Sequence, residues 1–300
     1  MAILIDSTTR IIVQGITGAT GGNIAGRMME GGSPIVGGVV PGRGGRQVHG
    51  LPVFDSCLEA RRVVGANASF VSVSAPFIEK AAYEAIDAGI SVIVLYAEGV
   101  PILDACRIIA KARQAGSVVV GPNAAGVASP GLANLSDLNE RFLHPGRVGV
   151  VSKSGTLSYE VVDQLNQAGL GVSTVVCIGG DPVIGTNHLD CLRRFEGDPE
   201  TDAVVMVGEI GGRSELMAAD FISRMVKPVV AYIAGREAPS GKRMGHAGAL
   251  LGSRDENVPG KIARLEVNGA YVAYYITDIG DKVKTALLER APGDFRRASE

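Results

Sequence analysis

From Ile11 to Ala234, short apolar runs rich in β-branched residues alternate with longer mixed segments. The first runs are IIVQG at 11–15, IVGGVV at 35–40, SFVSVS, SVIVLY and SVVVG. Runs of this length without polar alternation predict strands covered on both faces, as in a parallel sheet joined by crossover helices. The segment near 20–31 and the segments Ser56–Val64, Ile78–Ala88 and Ile102–Ala115 have helical composition, and Gly89 and Gly116 follow two of them as C-terminal caps.

The pattern lapses between Gly121 and Gly146, in GPNAAGVASPGLANLSDLNERFLHPG, whose Gly, Pro, Asn and Ser predict a junction. A second α/β set follows: RVGVVS, a helix from about Thr156, VSTVVCIGG, a helix near 187–196, AVVMVGEIGG, a helix near 215–226, PVVAYIAG, and a last helix near 280–289. The predicted division is therefore residues 1–122, a junction at 123–146, and residues 147–300. The halves share an architecture but no sequence repeat.

Composition narrows the function. The chain of 300 residues carries a formal net charge of −2 and no polybasic block, so neither nucleic acid nor a membrane surface is the expected partner. No apolar run approaches the roughly 20 residues of a membrane helix. MAILIDSTTR lacks the basic and apolar regions of a secretion signal. Cys57, Cys106, Cys177 and Cys191 are scattered without CxxC spacing, which predicts reduced structural thiols and a cytoplasmic or organelle-matrix protein.

Several loops carry candidate chemistry. The first strand runs into Gly15-Ile16-Thr17-Gly18-Ala19-Thr20-Gly21-Gly22, spaced GxxGxxG, which suits a phosphate at a helix N-terminus but equally suits tight strand–helix packing. After the second strand, where a nicotinamide enzyme carries an acid, the chain reads Pro41-Gly42-Arg43-Gly44-Gly45. Arg43 fits a ligand with an additional phosphate, coenzyme A or NADP, or is a solvated loop arginine. In Ser152-Lys153-Ser154-Gly155-Thr156, Ser154 or Thr156 caps the following helix, and its first amides form an anion site or a plain N-cap. Together with Gly179-Gly180-Asp181-Pro182 and Glu209-Ile210-Gly211-Gly212, this loop is expected on one carboxyl edge of a parallel sheet.

His246 lies in Gly241-Lys242-Arg243-Met244-Gly245-His246-Ala247-Gly248, among small residues with two cations nearby. A reachable imidazole can accept a phosphoryl group, act as a general base, bind a metal or do nothing. Metal is least favoured, since His49, His144 and His188 show no ligand spacing. Glu209 either fixes the imidazole tautomer or is an ordinary surface acid.

These strings identify a resemblance. GKRMGHAGA at 241–249, VVSKSGTLSYE at 150–160, IGGDPVIG at 178–185, GEIGG at 208–212 and VVPGRGG at 39–45 are similar, in order, to the α subunits of succinate–CoA ligase and related nucleoside-diphosphate-forming acid–CoA ligases. The likeness runs over nearly the whole chain. It implies a Rossmann-like CoA-binding domain followed by a flavodoxin-like ligase domain. By this likeness Thr17, Gly18, Ala19 and Thr20 hold CoA phosphates, Arg43 replaces the family's lysine, and Tyr96, Ala97 and Glu98 contact CoA. Tyr159 lies beside the acid, His246 is the phosphohistidine, Glu209 orients it, and Ser154, Gly155 and Thr156 cradle the phosphate. The implied reaction phosphorylates His246 from ATP or GTP and passes the phosphoryl group to the acid, from which the CoA thiol then displaces phosphate. The nucleotide and its Mg²⁺ are expected mainly on an ATP-grasp β subunit, in an αβ or α2β2 heteromer.

Two departures bear on the acid. The family's GPNCPG is GPNAAG here, with Ala124 and Ala125, and its IGI-x-PGHI-like string is replaced within LANLSDLNERFLHPG. The expected acid is therefore a small one other than, or in addition to, succinate, for example a hydroxylated or sulfonated acid. The alternatives are an authentic succinate–CoA ligase α subunit, a CoA-binding regulatory module without catalysis, and an NADP-dependent dehydrogenase, which leaves the His246 loop without a purpose.

Overall fold

The computed structural model describes residues 2–237, 245–249 and 256–289. The first seven-stranded sheet comprises β1 (Ile11–Gln14), β2 (Ile35–Val39), β3 (Gln47–Val48), β4 (Leu51–Phe54), β5 (Ala68–Val71), β6 (Val92–Leu95) and β7 (Val118–Val120). Its order is β3-β4-β2-β1-β5-β6-β7, parallel throughout except for β3 against β4. Without the short β3, this is the 3-2-1-4-5-6 order of a Rossmann sheet, with its switch point between β1 and β5.

Alternate side chains of these buried strands feed two cores, as the two-residue period requires. Ile11 and Val13 of β1 pack with Ile24, Ala25 and Met28 of α1 (Ala19–Glu30), whereas Ile12 packs with α2 (Cys57–Val64), α3 (Ala75–Asp87) and α4 (Ile102–Ala115). Ser56 caps α2 by accepting from the amide of Glu59. Gly89 and Gly116 follow α3 and α4 at φ of +73° and +74°, the left-handed conformation in which glycine ends a helix without strain.

The second sheet comprises β8 (Gly126–Ser129), β9 (Ala133–Ser136), β10 (Pro145–Ser152), β11 (Val172–Cys177), β12 (Ala203–Glu209), β13 (Val229–Ala234) and β14 (Tyr271–Val272), in the order β14-β13-β12-β10-β11-β8-β9. Its five parallel strands have the 2-1-3-4-5 order of flavodoxin-like sheets, with the switch point between β10 and β12. On one face lie α5 (Gly155–Gln167) and α9 (Ile279–Glu289); on the other lie α6 (His188–Gly197), α7 (Ser214–Ile222) and α8 (Val258–Val267). The latter core is continuous with the α1 face of the first sheet. No helix among the described residues is long and apolar enough to cross a membrane.

Some elements differ from the sequence pattern. The stretch 123–146 contains β8 and β9, an antiparallel hairpin closing the edge of the second sheet against β11. Its polar residues are buried together with Val127 and Leu135, because Ser129 Oγ bonds Thr174 Oγ1 at 2.8 Å and Asn134 Nδ2 donates to the Leu138 carbonyl at 2.9 Å. α3 begins at Ala75, three residues earlier than its composition indicates, since Pro76 falls where a helix needs no amide proton. α7 stops at Ile222. The β3–β4 hairpin turns at His49 and Gly50, both at positive φ, and is too short to register as a pattern.

Candidate active site

At the switch point of the second sheet, β10 and β12 leave in parallel and place Lys153 and Glu209 at their carboxyl ends. Lys153 is buried, and its Nζ stands 2.9 Å from Glu209 Oε1. Glu209 Oε2 accepts from Nδ1 of His246 at 2.6 Å. A carboxylate can only accept, so this contact puts the imidazole proton on Nδ1 and leaves Nε2 with its lone pair.

Glu209 is itself fixed from below. Its amide donates to Glu215 Oε1 at 3.1 Å, and its carbonyl accepts from Nζ of Lys261 at 2.7 Å. The same Lys261 Nζ bonds the Gly211 carbonyl and Glu215 Oε2, and both Lys261 and Glu215 are fully buried. Next to them, His188 Nε2 donates to the Val207 carbonyl at 3.0 Å, and its Nδ1 is 2.8 Å from Ser214 Oγ. Burial holds the His188 pKa down, so this imidazole is neutral. It is part of the foundation and does not face the cleft.

The electrostatics of the upper pair follow from these contacts. The hydrogen bond to Glu209 raises the His246 pKa, with partial burial opposing it. Burial pushes the Glu209 carboxyl up, but the His246 hydrogen bond and the Lys153 charge outweigh it and hold it below the usual range.

The loop after β11 forms the floor. A Cβ on Gly180 would stand 2.4 Å from Cγ of His246, so the imidazole lies directly against the glycine. The Gly248 amide donates to the Gly180 carbonyl at 2.9 Å, and the Gly180 amide donates to the Asn123 carbonyl at 3.2 Å. At the start of α5, Ser154 Oγ accepts from the Leu157 amide at 3.2 Å. A Cβ on Gly155 would stand 2.9 Å from the Ala125 methyl, which places the loop 121–125 against the helix start.

His246 borders two cavities. One, of about 260 Å³, lies between Lys153, Glu209, Gly235 and His246. The other, of about 510 Å³, lies between the two sheets and brings together Tyr96, Ala97, Glu98, Ser154, Gly155, Thr156, Tyr159 and His246, all singled out from the sequence. Ala124 and Ala125 also line it. Tyr159 Oη accepts from the Asn139 amide at 2.7 Å, and its ring meets Phe142 edge-on.

Thr17, Gly18, Ala19, Thr20 and Arg43 do not line this cleft. They lie at the carboxyl edge of the first sheet. Gly18, Ala19 and Thr20 are exposed at the start of α1, where no side chain caps the helix. Gly15 turns at φ +84°, and a Cβ on Gly21 would stand 2.5 Å from the Gly15 carbonyl oxygen, so both glycines are required by the turn. Arg43 is exposed in a loop pinned by the Gly44 amide donating to Asp55 Oδ1 at 2.8 Å. A crevice of about 200 Å³ beside it is lined by Val40, Pro41, Phe77 and Lys80.

Sequence reasoning assigns no role to Lys153, Lys261, Glu215, Arg27 or Asp137. Lys153 stands inside VVSKSGTLSYE and is marked there only by position. Lys261 and Glu215 resemble surface charges of amphipathic helices, and only the fold reveals their burial. Lys242 and Arg243, the cations flanking His246 in sequence, lie outside the described residues. Among the described residues, no cluster of three His, Cys, Asp or Glu side chains is arranged to hold a metal ion.

Two family models match the chain, a CoA binding domain over residues 6–99 and a CoA-ligase over residues 151–270. The chain is 49% identical to the ADP-forming succinate–CoA ligase subunit alpha 2 of Archaeoglobus fulgidus, covering 96% of this chain and 100% of the relative. It is 43% identical to the malate–CoA ligase subunit alpha of Methylorubrum extorquens, covering 97% and 100%. Among solved structures it is similar to the ATP citrate lyase of Methanosaeta concilii in complex with (3S)-citryl-CoA, with a TM-score of 0.87 and 27% identity. That match covers 96% of this chain but 51% of the lyase, so the chain spans about half the lyase's length.

Proposed function

The chain belongs to the α-subunit family of ADP-forming acid–CoA ligases, and on that premise we propose that it joins a small carboxylic acid to CoA at the expense of ATP or GTP, with His246 as phosphoryl carrier. The observation that carries this reading is the Lys153–Glu209–His246 chain at the switch point of the second sheet.

Glu209 holds the Nδ1 proton and presents Nε2 as the nucleophile. When Nε2 takes a phosphoryl group while Nδ1 keeps its proton, the ring becomes cationic, and the carboxylate 2.6 Å away stabilises that charge. Ser154, Gly155 and Thr156, at the start of α5, offer amides and a helix dipole to the phosphoryl oxygens. When the acid's carboxylate attacks phosphorus, His246 departs as neutral imidazole with its Nδ1 proton still directed at Glu209. The ring thus returns to its starting tautomer without moving a proton.

CoA fits the first domain on two features of this structure: the uncapped start of α1 with its glycine turn, and the interdomain cleft containing Tyr96, Ala97 and Glu98. Thr17–Thr20 and Arg43 are assigned to its phosphates, and Tyr159 to the acid. An ATP-grasp β subunit is assigned the nucleotide, a reading supported by relatives that are named as alpha subunits. Succinate and a hydroxylated acid are equally supported as substrate, since the relatives include both succinate and malate ligases. We place the protein in the cytoplasm, which its four unpaired cysteines support. The test is ADP formation dependent on both CoA and acid, measured across a carboxylate panel with the chain alone and with its β subunit. Activity is expected only in the pair; undiminished net ligation by the isolated chain would overturn the division of labour.

A further inference from the structure

The cleft beside His246 contains an arginine that the proposed reaction leaves unused. Arg27 projects from the third turn of α1, and its guanidinium pairs with Asp137 Oδ1, which follows β9 of the second sheet. Asp137 is held firmly. Tyr96 Oη donates to its other oxygen at 2.9 Å, and its amide donates to the Ala125 carbonyl at 2.8 Å. One edge of the guanidinium is therefore anchored by a fixed carboxylate, while its side chain remains 49% exposed at the cleft.

Arg27 is badly placed for the phosphates assigned to Thr17–Thr20. It stands nine residues beyond Gly18, about 13 Å along the helix axis at 1.5 Å per residue. The cleft it lines is shared instead with Tyr159, Ala124, Ala125 and Leu138. The remaining charged side chains lining the cleft are the acids Asp137 and Glu98, so Arg27 is the one guanidinium or ammonium group available to an anion there among the described residues. The start of α5 and His246, where the proposed reaction activates a carboxylate, line the same cleft. A ligand with a single anionic group needs only that start of α5 and His246. A ligand with two anionic groups engages Arg27 as well.

We propose that Arg27, positioned by Asp137 and Tyr96, selects the acid by binding the second, non-reacting anionic group of a short acid whose reacting carboxylate lies at His246. This rests on the acid–CoA ligase reading and names the class of its acid. A planar guanidinium tethered on one edge leaves its other N–H groups to bind a carboxylate or a sulfonate, which are alike in charge and acceptor geometry.

The test uses the chain assembled with its β subunit. Steady-state rates are measured for dicarboxylates, sulfocarboxylates and monocarboxylates of matched length, in wild type, Arg27→Gln, Arg27→Lys and Asp137→Asn. Wild type is expected to prefer acids with two anionic groups by about tenfold or more, of either kind, and Arg27→Gln to lose that preference through a rise in acid KM. Nucleotide-driven labelling of His246 and the KM for CoA should stay unchanged. Arg27→Lys should recover part of the preference, and Asp137→Asn should raise the acid KM severalfold. Monocarboxylates used as well as two-anion acids, a rise in CoA KM with no change for the acid, or an equal fall in every parameter would each overturn the proposal. Loss of His246 labelling in wild type would instead overturn the reading on which it rests.

Discussion

The imidazole of His246 lies directly against Gly180, and any side chain at that position would occupy the space of the ring, with Cβ 2.4 Å from Cγ. Gly180 does not adopt a positive φ, so its requirement is steric, not conformational. The floor of the site is thus shaped by one missing methyl group.

Gly180→Ala should leave the fold intact and displace the ring from Glu209. A misplacement near 1 Å costs about 100-fold in rate, so phosphorylation of His246 and net ligation should fall together by about that factor. Circular dichroism and single-turnover labelling would check this. Full activity in Gly180→Ala would mean that the ring is held elsewhere during turnover.

The pH dependence follows from the direction of the shifts. Because Glu209 raises the His246 pKa, the stability contributed by that pair is complete below the ordinary histidine value of 6.5 and is lost as pH rises through the raised value. Nucleophilicity runs the other way, since only neutral imidazole attacks. The acid limb of the phosphorylation rate should therefore lie above pH 6.5 in wild type and move down in Glu209→Gln, where the raising carboxylate is gone. The Glu209→Gln maximum should also drop. A limb that does not move would separate Glu209 from the titration of His246.

Lys261 and Glu215 form a fully buried pair beneath Glu209. Removing one partner strands a charge, so Lys261→Met alone should destabilise the protein by about 3–5 kcal/mol, and pairing it with Glu215→Leu should recover much of that. Denaturant unfolding measures both. An additive loss in the double variant would contradict a coupled pair.

Gly155 packs against Ala125 so closely that a Cβ added to the glycine would stand 2.9 Å from the alanine methyl. Gly155→Ala should therefore impair phosphate binding at the start of α5, and Ala125→Gly in the same chain should restore it. The KM for inorganic phosphate in the reverse reaction would show this compensation, and its failure would mean that Gly155 is needed for reasons other than that contact.

The parallel sheets were legible because their strands are buried on both faces: Ile11, Ile12 and Val13 form an unbroken apolar run. The loops at the carboxyl ends of the strands were legible because glycine and small polar residues follow such strands. Ser129 and Asn134 read as loop residues because their composition is polar; Ser129 is satisfied inside the sheet edge by Thr174, 45 residues away, and Asn134 by the nearby Leu138 carbonyl, a local turn that composition does not reveal. Likewise Lys261, a helix residue with surface chemistry, gave no sign of holding Glu209. His246 and Glu209 were each visible as reactive types in glycine-rich loops, but their 2.6 Å contact joins residues 37 apart and exists only because β12 and the His246 loop converge. Arg27 and Asp137, separated by 110 residues, were invisible as a pair.

The most direct measurement is transfer of label from γ-labelled ATP to the chain in the presence of its β subunit, followed by acid and base treatment. Acid-labile, base-stable label in wild type, absent from His246→Asn, is the predicted result. Label undiminished in His246→Asn would contradict a phosphoryl group carried on this imidazole.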